Sequence, residues 1–184
     1  MVKMSKDIMG NQQVAPEKLA WLAGIWDGEG TFGIYKYRPY KERYYYCARL
    51  TLSNTCVAMI DEIVHLFTLL GIQANYWKAK RGRSDKHKLE VHITVDRQES
   101  VRRGCLCMLP YLVVKKERAQ ILIDFIGIRM NYKRIVGRDL KTGRLTGVIG
   151  QGYEPGCITL YERLKFLNQV GANGGTSETL RQEP

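Results

Sequence analysis

No apolar run in this 184-residue sequence approaches the length that crosses a bilayer. The first ten residues, MVKMSKDIMG, carry two lysines but no apolar stretch, so no secretory signal is visible. Histidine is scarce. The three present, His65, His87 and His92, are too dispersed for a zinc cluster, and there is no H-E-x-x-H. The five cysteines (Cys47, Cys56, Cys105, Cys107 and Cys157) form an odd set without a C-x-x-C, which argues for reduced, intracellular thiols over a disulfide framework. A phosphate loop is missing too. GQGYEPG lacks the G-x-G-x-x-G spacing and a strong strand before it, and it reads as a turn. Acids are outnumbered, 18 against 29 lysines and arginines, for a net charge of +11. Such a balance points to a polyanionic partner, chiefly nucleic acid. With histidine and thiol clusters excluded, any metal is expected to be a hard one held by carboxylates.

What is present reads as an α+β domain with tails. Residues 1–15 form a polar arm. Pro16 and Glu17 open a helix running to Asp27, with proline near N1 and an acid in the first turn. TFGIYKY (31–37) and RYYYCARLTLS (43–53) are aromatic and β-branched, flank RPYKE, and predict a hairpin. CVAMIDEIVHLFTLLG carries apolar residues at helical spacing and stops at Gly71. A second hairpin follows from IQANYWKAK and KLEVHITV. After it come a short helix over 97–108 and a stronger one over YLVVKKERAQILIDFIGIRM (111–130). The order α-β-β-α-β-β-α predicts an antiparallel sheet with helices on one face. Residues 131–184 read as a glycine-rich extension with one terminal helix, ITLYERLKFLNQV.

The stretch LAGIWDGEG (22–30) poses a physical problem. It ends a helix on two acids, Asp27 and Glu29, where the helix dipole already disfavours negative charge. A cation is needed there. Ala20, Gly24 and Gly28 recur every four residues, and Ala23 broadens the stripe. Small residues at this spacing let another helix approach closely. The alternative is a helix thinned against its own sheet. If the approaching helix belongs to a second copy, two-fold symmetry brings both pairs of acids together. A divalent metal would compensate them, and paired metal–carboxylate sites suit phosphodiester hydrolysis.

LAGIWDGEG resembles the signature of the LAGLIDADG homing endonucleases. Leu22, Ala23, Gly24, Asp27 and Gly30 are identical, and Glu29 matches in charge. TFGI is similar to that family's first strand, and the resemblance covers the core, residues 16–130. It implies a saddle-shaped antiparallel sheet and a nuclease using Mg2+, with Mn2+ able to substitute. It also implies that Glu29 and the Gly28 carbonyl hold metal, that Asp27 holds the turn, and that Lys115, rather than Lys116, supports hydrolysis. Asn54 matches an amide that orders water, although an N-capping role on the next helix is equally open. A basic residue that relatives add a turn later is absent here, where Ala58 stands.

The hairpins should then face DNA. The candidates are Lys36, Arg38, Arg43, Arg49, Lys78, Lys80, Arg81, Arg83, Lys86 and Lys88. Lys78 and Lys80 share a parity that suggests a basic sheet face, while in the first strand either Tyr35 and Tyr37 or Lys36 and Arg38 face outward. One motif makes half a site. The expected form is therefore a homodimer through Ala20, Ala23, Gly24, Asp27 and Gly28, cutting both strands of a long, near-palindromic DNA target. The alternative is a DNA-binding regulator, or an intron maturase binding intron RNA, on the same scaffold. The chain ends lack splice-junction nucleophiles, so an intron-encoded or freestanding protein inside the cell is expected rather than an intein.

Overall fold

Two antiparallel hairpins share one sheet in the computed structural model, which describes residues 14–40, 43–80, 89–131, 135–138, 145–148 and 154–172. The elements are α1 (Pro16–Gly28), β1 (Thr31–Tyr40), β2 (Arg43–Asn54), α2 (Val57–Leu69), β3 (Asn75–Lys80), β4 (Leu89–Val95), α3 (Gln98–Met108), α4 (Lys116–Asn131), β5 (Ile135–Arg138), β6 (Leu145–Val148) and α5 (Glu154–Ala172). The four-stranded sheet has the order β1-β2-β4-β3, and β5 pairs with β6 in a separate hairpin. The architecture is the expected α+β class. Of the expected N-terminal arm, residues 1–13 lie outside the described residues.

Strand alternation divides the sheet into a buried and an open face. Phe32 and Ile34 of β1, Ala48, Leu50 and Leu52 of β2, and Val91, Ile93 and Val95 of β4 are buried together. Helices cover this face with Ile60, Ile63 and Phe67 from α2, Val101 and Met108 from α3, and Leu122 and Phe125 from α4. The motif helix contributes Leu22, Ala23 and Trp26, all fully buried, and the Trp26 ring lies 5.6 Å from that of Phe67. The other parity of the strands is polar and aromatic. Tyr35, Tyr37, Tyr45, Arg49 and Ser53 lie on it, paired by the register Tyr37↔Tyr45 and Ser53↔His92.

The structure moves one expected boundary and adds detail to the extension. The last core helix begins at Lys116, and residues 111–115 form a loop. The cause is an acceptor from α1, described below, that takes the amides ahead of the helix. The extension also holds the β5–β6 hairpin, with Ile135 paired to Val148 and Arg138 to Leu145. Its strands, IVGR and LTGV, are too short and glycine-interrupted to show a period. The expected terminal helix is present as α5 and packs on the core. Cys157 and Leu164 of α5 are fully buried or nearly so, and the Tyr161 ring packs 5.3 Å from that of Tyr46. Arg163 pairs with Glu117 of α4 at 2.5 Å, and Asn168 donates to the Phe32 carbonyl of β1 at 3.2 Å. Because β1 is an outer strand of the sheet, α5 lies along an edge that would otherwise expose backbone groups.

Gly30 is buried directly against the indole of Trp26, and a Cβ added there would fall on that ring. The core around Trp26 is too tightly packed for the ring to yield freely. Gly30→Ala is therefore expected to destabilise the protein by about 1–3 kcal/mol, read as a lower urea midpoint at unchanged m-value. An unchanged midpoint would show that Trp26 yields freely.

Candidate active site

Helix α1 ends without a basic residue in its last turn. Its final carbonyls need donors, and Asp27 and Glu29 add negative charge to the same end. The cation comes from far along the chain. Lys115 Nζ donates to the carbonyls of Trp26 at 3.0 Å, Gly28 at 3.4 Å and Gly30 at 2.8 Å. Burial, and then the neighbouring Arg118 guanidinium, push the Lys115 ammonium below the usual lysine range, while Asp27 opposes the shift.

Asp27 completes the exchange. Its carboxylate accepts the backbone amides of Val113 at 2.7 Å, Val114 at 3.2 Å and Lys115 at 2.8 Å. These amides precede α4 and would lack intrahelical partners, so an anion here satisfies both the donors and the helix dipole. Both oxygens of Asp27 are engaged within the chain. It anchors the loop before α4.

Glu29 is exposed at the end of the motif helix, and Asn54 Nδ2 donates to its Oε2. Asn54 Oδ1 also accepts the Cys56 amide at 2.7 Å, two residues on, just ahead of α2. Asn54 thus ties the Glu29 carboxylate, through its nitrogen, to the turn that leads into α2, which it holds through its oxygen; the N-cap position itself is Cys56, without a side-chain cap bond. Lys116, one position beyond Lys115, is exposed.

Among the described residues no three His, Cys, Asp or Glu side chains gather into a metal site. What the chain offers is one carboxylate, Glu29, and one carbonyl, Gly28. Both are hard oxygen donors of the kind Mg2+ takes, but two ligands from one chain leave the shell incomplete. The stripe on α1 bears on this. Ala20, Gly24 and Gly28 are exposed, and open space surrounds both glycines. Trp21 beside them is also exposed. Ala23 departs from the expectation. It is fully buried within the chain, because it falls on the Leu22 and Trp26 side of the helix.

The open sheet face carries Arg49, whose Nη2 donates to the Tyr37 hydroxyl at 2.7 Å and whose guanidinium lies 4.9 Å from the Tyr35 ring centre. Further across, Trp77 stacks on His92 at 5.4 Å, and Ser53 bonds His92 Nδ1 at 2.5 Å. These aromatic and hydroxyl-bearing groups suit contacts to bases and phosphates. None of Tyr35, Tyr37, Trp77 and His92 was singled out by charge, and alternation was the only signal for them. Two charged candidates fall elsewhere. Lys36 pairs with Tyr46 and Lys78 with Val91, residues of the buried face, so both take the opposite parity. The side chains of Arg38, Arg43 and Lys80, and residues Arg81, Arg83, Lys86 and Lys88, lie outside the described residues.

The sequence profile described as "LAGLIDADG-like domain" matches residues 16–127. Comparison with curated proteins gives no match. Among solved structures, the chain is similar to the homing endonuclease I-CvuI in complex with its target in the presence of Ca. The TM-score is 0.56 at 19% identity, over 91% of this chain and 87% of that one. It is similar to the archaeal intron-encoded homing endonuclease I-Vdi141I complexed with DNA, with a TM-score of 0.58 at 14% identity over 91% and 89% of the two chains. The LAGLIDADG homing endonuclease I-SmaMI bound to cleaved DNA gives 0.54 at 15% identity over 89% of this chain and 47% of that one. These likenesses establish the fold.

The Asp27 bonds yield a stability expectation. Asp27→Ala strands three amides at the head of α4 and should cost about 2 kcal/mol, the scale of a lost helix cap. Urea unfolding followed by circular dichroism measures it. An unchanged midpoint would mean that the loop holds itself.

Proposed function

Because the chain belongs to the LAGLIDADG-like domain family, we propose that it is a site-specific homing endonuclease that hydrolyses phosphodiester bonds in both strands of a long DNA target. The observation that carries this reading is the meeting of Glu29, Asn54 and Lys115 at the end of α1, beside an open sheet face set with aromatic side chains and Arg49. The DNA complexes of the similar structures support it.

Glu29 and the Gly28 carbonyl are the residues that would hold Mg2+, or Mn2+ in its place. A bound ion supplies Lewis-acid polarisation of the phosphate and a more acidic water. The chain's own groups prepare the rest. Asn54 holds the Glu29 carboxylate in one orientation. Lys115 places a fixed positive charge near the helix end, where charge on a transferring phosphate is stabilised without reorganisation. Arg49, steadied by Tyr35 and Tyr37, contacts the DNA.

The active form in this reading is a homodimer. A second copy packs its motif helix against Ala20, Gly24 and Gly28, and each copy brings one Glu29 to the two-fold axis. The target is accordingly near-palindromic. The match covers 87% of the I-CvuI chain but 47% of the I-SmaMI chain, so this chain alone is about half as long as the latter. Its location is intracellular, where its DNA target lies.

The test is a plasmid library with randomised inserts, incubated with Mg2+ and the wild type or Glu29→Gln. The wild type should linearise a subset of plasmids. The variant should bind the recovered target but cut at least about 100-fold more slowly, the scale on which one charge-stabilising group acts. Binding without cutting under every divalent metal would instead favour the DNA-binding regulator or the maturase. A native mass of one protomer, with and without DNA, would contradict the dimer.

A further inference from the structure

The cleft at the end of α1 holds a second cation. Its walls include Asp27, Gly28, Thr31, Lys115, Arg118 and Asn168, around about 490 Å³, room for a phosphodiester group. Arg118 stands in the first turn of α4, three residues beyond Lys115, and both line this cleft. Its setting is specific. Arg118 Nη2 donates to the Leu167 carbonyl of α5 at 2.7 Å. The next residue of α5, Asn168, donates to the Phe32 carbonyl at 3.2 Å. The C-terminal helix thus clamps both the guanidinium and the first strand at the rim of the cleft.

We infer that Arg118 is a phosphate-binding residue of this cleft, a guanidinium that α5 holds beside Lys115 to receive a backbone phosphate of the DNA. The inference rests on the endonuclease reading and adds a group to it. Three observations carry it. Among the described residues lining the cleft, two cations, Lys115 and Arg118, face one carboxylate, Asp27, whose oxygens are already bonded by three amides. Lys115 is engaged by three carbonyls and acts as a fixed charge rather than a mobile arm. Arg118, by contrast, uses one donor on Leu167, and a guanidinium has five, in a planar fork that matches phosphate oxygens. The two cations line the same cleft, and an anion seated between them would meet both. α5 lies beyond the region matched by the family profile, while Arg118 lies within it.

A residue that merely ties α4 to α5 would affect stability and nothing else. The discriminating readout is the salt dependence of DNA binding. The probe is the duplex recovered from the randomised library, bound in Ca2+ across a series of KCl concentrations and cut in Mg2+ under single-turnover conditions. Loss of one phosphate contact lowers the slope of log K against log salt by about 0.9 per protomer. Arg118→Gln should show that loss and cut about tenfold or more slowly, whereas Arg118→Lys should retain the slope. If Arg118→Gln fails to fold, Arg118→Lys against Arg118→Met gives the same contrast of charge at equal stem length. A library from which the wild type recovers no cleaved sequence overturns the endonuclease reading and this inference with it. A wild type that cuts, beside uncharged variants of equal slope and rate, overturns this inference alone.

Discussion

One carboxylate joins two parts of the chain more than eighty residues apart. Asp27 ends the motif helix and takes the amides of residues 113–115. Lys115 returns the connection by placing its ammonium on the last carbonyls of the same helix. Two helix ends with opposite needs, a surplus of carbonyls on α1 and of amides before α4, thereby satisfy each other. Each such charge–dipole contact contributes on the order of 1 kcal/mol, more where partly buried. The larger consequence is geometric. The lock holds Lys115 beside Gly28 and Glu29, and it does so from Trp26 and Leu22, fully buried side chains that cannot shift without opening the core.

The two acids of the motif divide the work by position. Asp27 is engaged inside the chain and sets where the site is built. Glu29, two residues on, is exposed and bonded by Asn54, the last residue of β2. The carboxylate offered to a metal is therefore positioned by the sheet that lies against DNA in the proposed function. Register carries that link outward. Five residues before Asn54, on the same strand, Arg49 rests on Tyr35 and Tyr37. The helix at the end of the chain closes the arrangement from the other side by covering β1 and reaching Arg118.

Much of this was legible in the residues. The α-β-β-α-β-β-α order followed from two aromatic hairpins and three helical periods, and the LAGLIDADG resemblance marked Asp27, Glu29, Asn54 and Lys115 as residues that meet. What stayed hidden has physical reasons. Alternation gives parity but not its sign, and charge was a poor guide to it. Lys36 and Lys78 share a parity with buried Tyr46 and Val91, while the open face carries uncharged Tyr35, Tyr37 and Trp77. Ala23 looked like part of a small-residue stripe because spacing cannot tell an alanine facing outward from one filling a core. The start of α4 depended on an acceptor far away in sequence, which no local pattern shows. The acids at the end of α1 point to a cation, and the chain itself supplies one through Lys115, whose place some eighty-five residues on no local pattern reveals.

The central claim is that one chain carries half of a cutting site. Mixing wild type with Glu29→Gln at fixed total concentration, after subunit exchange, tests it directly. If both strands are cut only by paired wild-type copies, double-strand cleavage by an equal mixture falls to about a quarter of the wild-type rate, as two-fold pairing requires. A fall to about half, in proportion to the wild-type protein present, would show that each chain cuts alone and would contradict the account.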